Sequence, residues 1–465
     1  MSALADGPPG ARLRALDSVL AALAWLATAA LAAAAAGCAS PAPTQQWLGA
    51  NELFLDYRIT TSGVELAADC AGRTTVHALA ADLPSLAASA AVLSSQLDPS
   101  DVGTIDRMPA YDMAEAARLA DALRIGAALV ECPSARHVIV AAEGPLAAVP
   151  FAALVLDMPA AGGGNDRDPF AAYRRARWFG QAVALSNVAS GGWIERRRQA
   201  GSADRPPPPE PLLAFADPLP VPPDAPAAAA PLAWKMADED DALEPSPPGT
   251  PDARQTADRG WASLRRLARV PLTSDQAVAL AAAYGAGPGA ILLREAATER
   301  ALRRLDLGRY RTLAFATHGL VPGEFDGLTE PALLLTLPPG RTDEDDGLLL
   351  ASEVRALKLR AAWVLLLACN TGSRIAAGSM TGAFLDAGAG AVLGARWPVI
   401  SEVVTDFVAA LARLAPADLP LAEAVRRASL AVADDRIRPH HAHPMLWAPF
   451  AVSGDGALRA LGRAR

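Results

Sequence analysis

Two short apolar runs in the middle of the chain each end in a polar side chain followed by glycine. One is Thr312-Leu313-Ala314-Phe315-Ala316-Thr317-His318-Gly319. The other is Ala362-Trp363-Val364-Leu365-Leu366-Leu367-Ala368-Cys369-Asn370-Thr371-Gly372. Continuous apolar runs of this length predict strands buried on both faces of a parallel sheet. In such a sheet chemistry collects just beyond the carboxyl ends of the strands. A histidine and a cysteine at the ends of neighbouring strands would face each other across one crevice, as a thiol nucleophile and its base require.

The same patterning organises the rest. Leu53 to Thr60 and Val64 to Ala68 flank Thr61-Ser62-Gly63, a hairpin signal. Leu83, Leu86, Ala90 and Leu93 share a helical face, and a second helix is expected over Ala114 to Ala128, carrying Leu119, Leu123 and Ile125. Further strands are expected at His137 to Ala142, Ala182 to Val188, Leu212 to Ala216, Ala391 to Trp397 and His443 to Phe450, with an apolar stretch at Ala290 to Leu293 and a link at Leu333 to Leu337 between His318 and Cys369. Helices are expected around Ser263 to Arg269, after a Thr298 cap, over Thr381 to Ala387, from Ser401 with Val403, Val404, Phe407, Val408 and Leu411 inward, and over Leu421 to Val432. His137 opens its strand at the amino end and reads as a surface histidine. No 34-residue helical repeat is present.

This alternation predicts an α/β chain with an open, mostly parallel sheet and helices on both faces. A smaller α/β subdomain over 45–135 would precede a core over 136–456, with a tail at 457–465. Residues 217–258 are rich in Pro and Ala and acidic, including Asp238-Glu239-Asp240-Asp241, and read as a flexible insertion.

Composition narrows the function. The 465 residues are 52% apolar and 20% charged, enough for a large core. Net charge is −8 with a pI near 5.4, and no basic stripe interleaves with aromatics, so nucleic acid is not an expected partner. Arg196-Arg197-Arg198 reads as a solvated helix end. Four cysteines, at 38, 70, 132 and 369, are too few for a disulfide framework and form no C-x-x-C pair. His440, His441 and His443 are too close in sequence to converge on one ion, so no metal or cofactor is expected. Arg12 and Arg14 precede an Ala/Leu-rich run, Val19 to Ala36, ending Ala35-Ala36-Gly37-Cys38. That ending resembles a bacterial lipobox, with Cys38 as the lipidated residue. A lipoprotein, an uncleaved anchor and a plain cleaved signal all remain open for 1–38. The first two would tether the body to the membrane, outside the cytoplasm, in the cell envelope.

Beyond this point the residues resemble one family, the CHAT domain, a caspase-like cysteine peptidase domain related to separases and caspases. The likeness lies in F-A-T-H-G at Phe315 to Gly319, L-A-C-N-T-G at Leu367 to Gly372, W-P-V at Trp397 to Val399 and H-P-x-x-W-A-P-F at His443 to Phe450. Glu143-Gly144-Pro145-Leu146 and Pro150 to Leu154 resemble the family's upstream D-G-P-L…P-F-A-A-L, with Glu for Asp. The stretch from Ser373 to Ser379 is shorter than the Gly-Glu-Gly-Leu-rich segment common there.

The resemblance implies a caspase-like fold and a cysteine endopeptidase acting on a protein or peptide substrate. Cys369 would be the nucleophile, His318 its base, and backbone N–H groups of Gly319 and Cys369 the oxyanion donors. Family members often prefer a basic residue before the scissile bond, which calls for a carboxylate in the pocket. Glu402 and Asp406, beyond Trp397, and Asp326, after the His318 loop, are the candidates, with Trp397 beside them. The alternative is a non-catalytic, membrane-tethered scaffold that keeps the peptidase fold.

Overall fold

The structure, a computed structural model, describes residues 47–99, 102, 107–159, 168–201, 206–220, 260, 263–270, 272–342, 345–368, 371 and 379–461. Cys38, Cys369 and most of the 217–258 insertion lie outside them.

The strands are β1 (Glu52–Thr60), β2 (Gly63–Cys70), β3 (Arg73–Ala78), β4 (His137–Ala142), β5 (Val155–Asp157), β6 (Arg177–Trp178), β7 (Ala184–Val188) and β8 (Glu210–Ala216). They continue with β9 (Ile291–Leu293), β10 (Tyr310–Ala316), β11 (Gly319–Leu320), β12 (Ala332–Leu334), β13 (Leu348–Leu350), β14 (Trp363–Leu366), β15 (Ala391–Ala395) and β16 (Phe450–Gly454). Among the described residues, eleven strands form one sheet in the order β3-β2-β1-β4-β7-β16-β15-β14-β10-β8-β9. Neighbours from β15 to β9 are parallel, as are β1, β4 and β7. The first hairpin, β1–β2, and its partner β3 extend this same sheet rather than forming one of their own. The fold is thus mixed α/β, built on a large, mostly parallel sheet.

Both faces are covered, as the unbroken apolar runs require. In β10 and β14 alternate residues go opposite ways. Ala314, Ala316, Trp363 and Leu365 join the larger core with Leu280, Phe407 and Val425. Leu313, Phe315, Val364 and Leu366 join a second core with Leu302, Val354 and Phe384. The first face carries the helices Leu272–Tyr284, Ser401–Leu414 and Leu421–Ala433, and the second carries Glu299–Arg304, Ala351–Ala356 and Met380–Asp386. Phe315 lies between Phe215 and Phe384, with ring centroids 5.4 and 5.3 Å away.

Several expectations need correction. Cys70 and Cys132 form a disulfide, with Cα atoms 5.8 Å apart. It ties the end of β2 to the segment before β4. His443 to Phe450 is not a strand. Pro444–Trp447 is a short helix capped by the His443 side chain, and the last strand begins only at Phe450. The helix expected over Ala114 to Ala128 is two, Met113–Ala122 and Ile125–Glu131, separated by Arg124 in the left-handed region at φ +57°. The helix Leu272–Tyr284 was not foreseen, because its Ala-rich sequence gives little contrast between faces and leaves Leu272 and Val278 exposed.

Two polar groups were also misplaced. His137 is no surface residue: Nδ1 lies 3.0 Å from Glu52 Oε1 and Nε2 2.8 Å from Ser186 Oγ. Arg197 and Arg198 are likewise held inside. Arg197 reaches the carbonyl of Gly388 at 2.6 Å. Arg198 forks onto both oxygens of Glu52, at 2.6 and 2.9 Å, and onto Asp455 at 2.7 Å. Finally, the insertion does not begin at Asp217, which is fully buried.

Candidate active site

The β10–β14 ladder positions the site. Thr312 pairs with Trp363, Leu313 with Val364, Ala314 with Leu365 and Phe315 with Leu366. Leu367 N–H then donates to the Phe315 carbonyl at 2.8 Å, so the two strands stay in step as they leave the sheet.

On the β10 side the next residues are anchored by the small sheet β11-β12-β13. Thr317 Oγ1 donates to the Leu334 carbonyl at 2.5 Å, and Leu334 N–H donates to the His318 carbonyl at 3.0 Å. Gly319 opens β11, opposite Leu333. The His318 ring is fixed by the chain before the helix Leu272–Tyr284, where Nε2 lies 2.7 Å from the Ala268 carbonyl oxygen. A carbonyl oxygen only accepts, so Nε2 carries the proton, and in the neutral ring the lone pair is on Nδ1. Burial holds the His318 pKa below the usual histidine value, and the Ala268 carbonyl partly offsets this by favouring the imidazolium.

On the β14 side Cys369 lies outside the described residues, but chain on both sides of it is pinned. Ala368 and Thr371 are buried. Thr371 Oγ1 donates to the Ala368 carbonyl at 3.0 Å, and the Thr371 carbonyl accepts from Thr381 Oγ1 at 2.5 Å. Ser379 caps the following helix, accepting from Gly382 N–H at 3.0 Å.

The four pocket candidates have separate surroundings. Asp326 is exposed and lines a cavity of about 100 Å³ beside the His318 loop, together with Leu264, Leu328, Glu330, Asp346 and Leu350. Glu402 is exposed in the first turn of Ser401–Leu414. Asp406 is paired to Arg438 at 2.6 Å. Trp397 is packed in the core, its Nε1 donating to the Met445 carbonyl at 2.9 Å.

Asp406, Asp435 and His441 bring ligand-type atoms within 4.8 Å of one another. Arg438, however, already pairs with both carboxylates, at 2.6 and 2.7 Å, and is the cation resident there.

One buried group escaped the sequence reading. Asp217, just past β8, receives Arg269 Nη2 at 2.7 Å, Arg294 Nε at 3.1 Å and Ser274 Oγ at 3.1 Å. The acidic, Pro-rich run that starts there hid it. The only signal available was its place at a strand end.

The model of the CHAT domain family matches residues 112–455. No curated protein matches the chain. Among solved structures the chain is similar to the Arg-specific cysteine proteinase gingipain R, at 11% identity over 79% of this chain and 74% of that one, with a TM-score of 0.37. It is also similar to the pro- and mature-domain complex of Porphyromonas gingivalis RgpB, at 10% identity over 79% and 77% of the two chains, TM-score 0.39. The Saccharomyces cerevisiae separase–securin complex gives 9% identity over 88% of this chain and 30% of that one, TM-score 0.43.

Proposed function

Since the chain belongs to the CHAT domain family, we propose that it is a cysteine endopeptidase in which Cys369 is the nucleophile and His318 the base. The β10–β14 register carries this reading. It pairs Phe315 with Leu366, each three residues short of the two groups, on adjacent parallel strands. Nδ1 of His318 takes the thiol proton, and the thiolate attacks the scissile carbonyl carbon. The oxyanion is met by the N–H groups of Gly319 and Cys369. The imidazolium then returns its proton to the leaving amine, and water hydrolyses the thioester.

Selectivity is for a basic residue before the cut, with Asp326 as the selecting carboxylate. It is exposed at a cavity beside the His318 loop, whereas Asp406 is neutralised by Arg438. The working compartment is the cell envelope, with the membrane reached through the Cys38 segment. The Cys70–Cys132 disulfide supports this, because such bonds persist in oxidising surroundings.

The test is cleavage of peptides carrying Arg or Lys before the cut by the full chain. Cys369→Ala is expected to abolish it without changing thermal stability. Activity persisting in that variant overturns the assignment. A well-folded parent that cleaves nothing leaves the scaffold reading in its place.

A further inference from the structure

The stretch that holds His318 is itself held, and the holding group is Asp217. It stands one residue past β8, the strand next to β10. Its side chain is fully buried, and its backbone is left-handed at φ +47°. Arg294, one residue past β9, is left-handed too, at φ +49°. The two are joined by the 3.1 Å bond from Arg294 Nε to Asp217 Oδ2. Non-glycine residues in this region are strained, and they persist only where surrounding contacts enforce them.

Arg269 completes the arrangement. Its Nη2 donates to Asp217 Oδ2 at 2.7 Å and its Nε to Oδ1 at 3.3 Å, a two-point fork. Arg269 directly follows Ala268, whose carbonyl receives His318 Nε2. Asp217 N–H also donates to Thr273 Oγ1 at 2.8 Å, gripping the same stretch from its other end. A fork of this kind fixes direction as well as distance, which a single charge contact does not.

We propose that Asp217, through Arg269, sets where the Ala268 carbonyl points and thereby which nitrogen of His318 carries the proton. Asp217 is a positioning residue: it touches neither the nucleophile nor the substrate. Its importance for turnover rests on the peptidase reading above, but its effect on the imidazole does not.

The experiment reads the imidazole first. The full chain is labelled with nitrogen-15 histidine in a Cys369→Ala background, and the His318 signals are assigned by their loss in His318→Gln. Asp217→Asn and Arg269→Lys are then compared with the parent, the second keeping the charge while losing the fork. The parent ring is expected to carry its proton on Nε2, and both variants to shift toward a mixture with Nδ1–H. With Cys369 restored, kcat should fall on the order of a hundredfold, as for a misplaced catalytic group, with KM unchanged. The acidic limb of the pH profile should move to lower pH, because the imidazolium loses its acceptor. Folded variants with the parent tautomer and pH profile overturn the proposal. So does failure of both variants to fold, which would make the fork a brace of the fold and nothing more. A parent with the expected tautomer but no peptidase activity refutes the proposed function and leaves this inference standing.

Discussion

The carbonyl oxygen of Ala268 lies 2.7 Å from Nε2 of His318, although fifty positions separate the two residues in sequence. That bond leaves Nδ1 as the basic nitrogen, while burial keeps the ring neutral below the ordinary histidine range. The acidic limb of kcat/KM is therefore expected below pH 6.5, the ordinary histidine value. A limb above that value, measured on a peptide without titrating groups, would contradict the burial seen here.

In the proposed dyad, removing His318 should be nearly as harmful as removing Cys369. His318→Ala is expected to lower kcat/KM by about 10²–10⁴. It should also slow labelling of Cys369 by iodoacetamide at neutral pH. Cys70 and Cys132 share a disulfide, so the parent and Cys369→Ala under non-reducing conditions supply the comparison. Equal labelling rates in the parent and His318→Ala would show that the thiol is not activated by the ring.

In the proposed specificity, Asp326 is the carboxylate that meets a basic side chain. Asp326→Asn should reduce kcat/KM for an Arg peptide by an amount equivalent to about 1.5–3 kcal/mol, the usual worth of a hydrogen bond to a charged group. Hydrolysis of a peptide with a neutral residue at that position should change much less. Parallel losses on both peptides would move the selecting carboxylate elsewhere.

Acid should destabilise the fold through two buried rings. His443 is bonded at both nitrogens, to Met445 N–H and the Pro109 carbonyl, each at 3.1 Å. Burial presses its pKa to about 4, and burial with Arg438 nearby presses that of His441 to about 4. The unfolded chain binds these protons near pH 6.5 and the folded chain only near 4. Stability is thus full above pH 6.5, falls between 6.5 and 4, and levels below. Urea unfolding from pH 7 to 4 should show this slope, reduced by about one proton in His443→Gln.

Breaking the Cys70–Cys132 bond frees two points 62 residues apart. The expected loss of stability is about 2–4 kcal/mol, mainly through the greater freedom of the unfolded chain. Denaturant titration of a Cys70→Ser/Cys132→Ser variant measures it. An unchanged midpoint would show that the hairpin is secured by packing alone.

What was legible in the sequence was whatever the period of apolar residues encodes. β10 and β14 showed themselves as unbroken runs because both of their faces are buried, and their ends then drew His318 and Cys369 forward as candidates. Thr298 was readable as a cap because capping is local, and its Oγ1 accepts from Ala301 N–H at 3.0 Å. Long-range pairings left no such trace. Nothing within a few residues of Cys70 indicates Cys132, and nothing near Asp217 indicates Arg269 or Arg294. Arg198 looked like a solvated charge because its partners, Glu52 and Asp455, are 146 and 257 positions away. His443 to Phe450 misled for the opposite reason. Its apolar residues are buried as a strand's would be, yet Pro444 and the His443 cap start a helical turn.

β16, though last in the sequence, lies between β7 and β15 in the middle of the sheet. Among the described residues, backbone pairing between the strands that flank the candidate site and those carrying the amino-terminal hairpin therefore runs through residues 450–454. During synthesis the two halves can each form early, but their strands stay unpaired with one another until that segment leaves the ribosome. Assembly of the whole sheet is thus timed by its central seam, and a nascent chain stalled before Phe450 would present two unpaired inner edges.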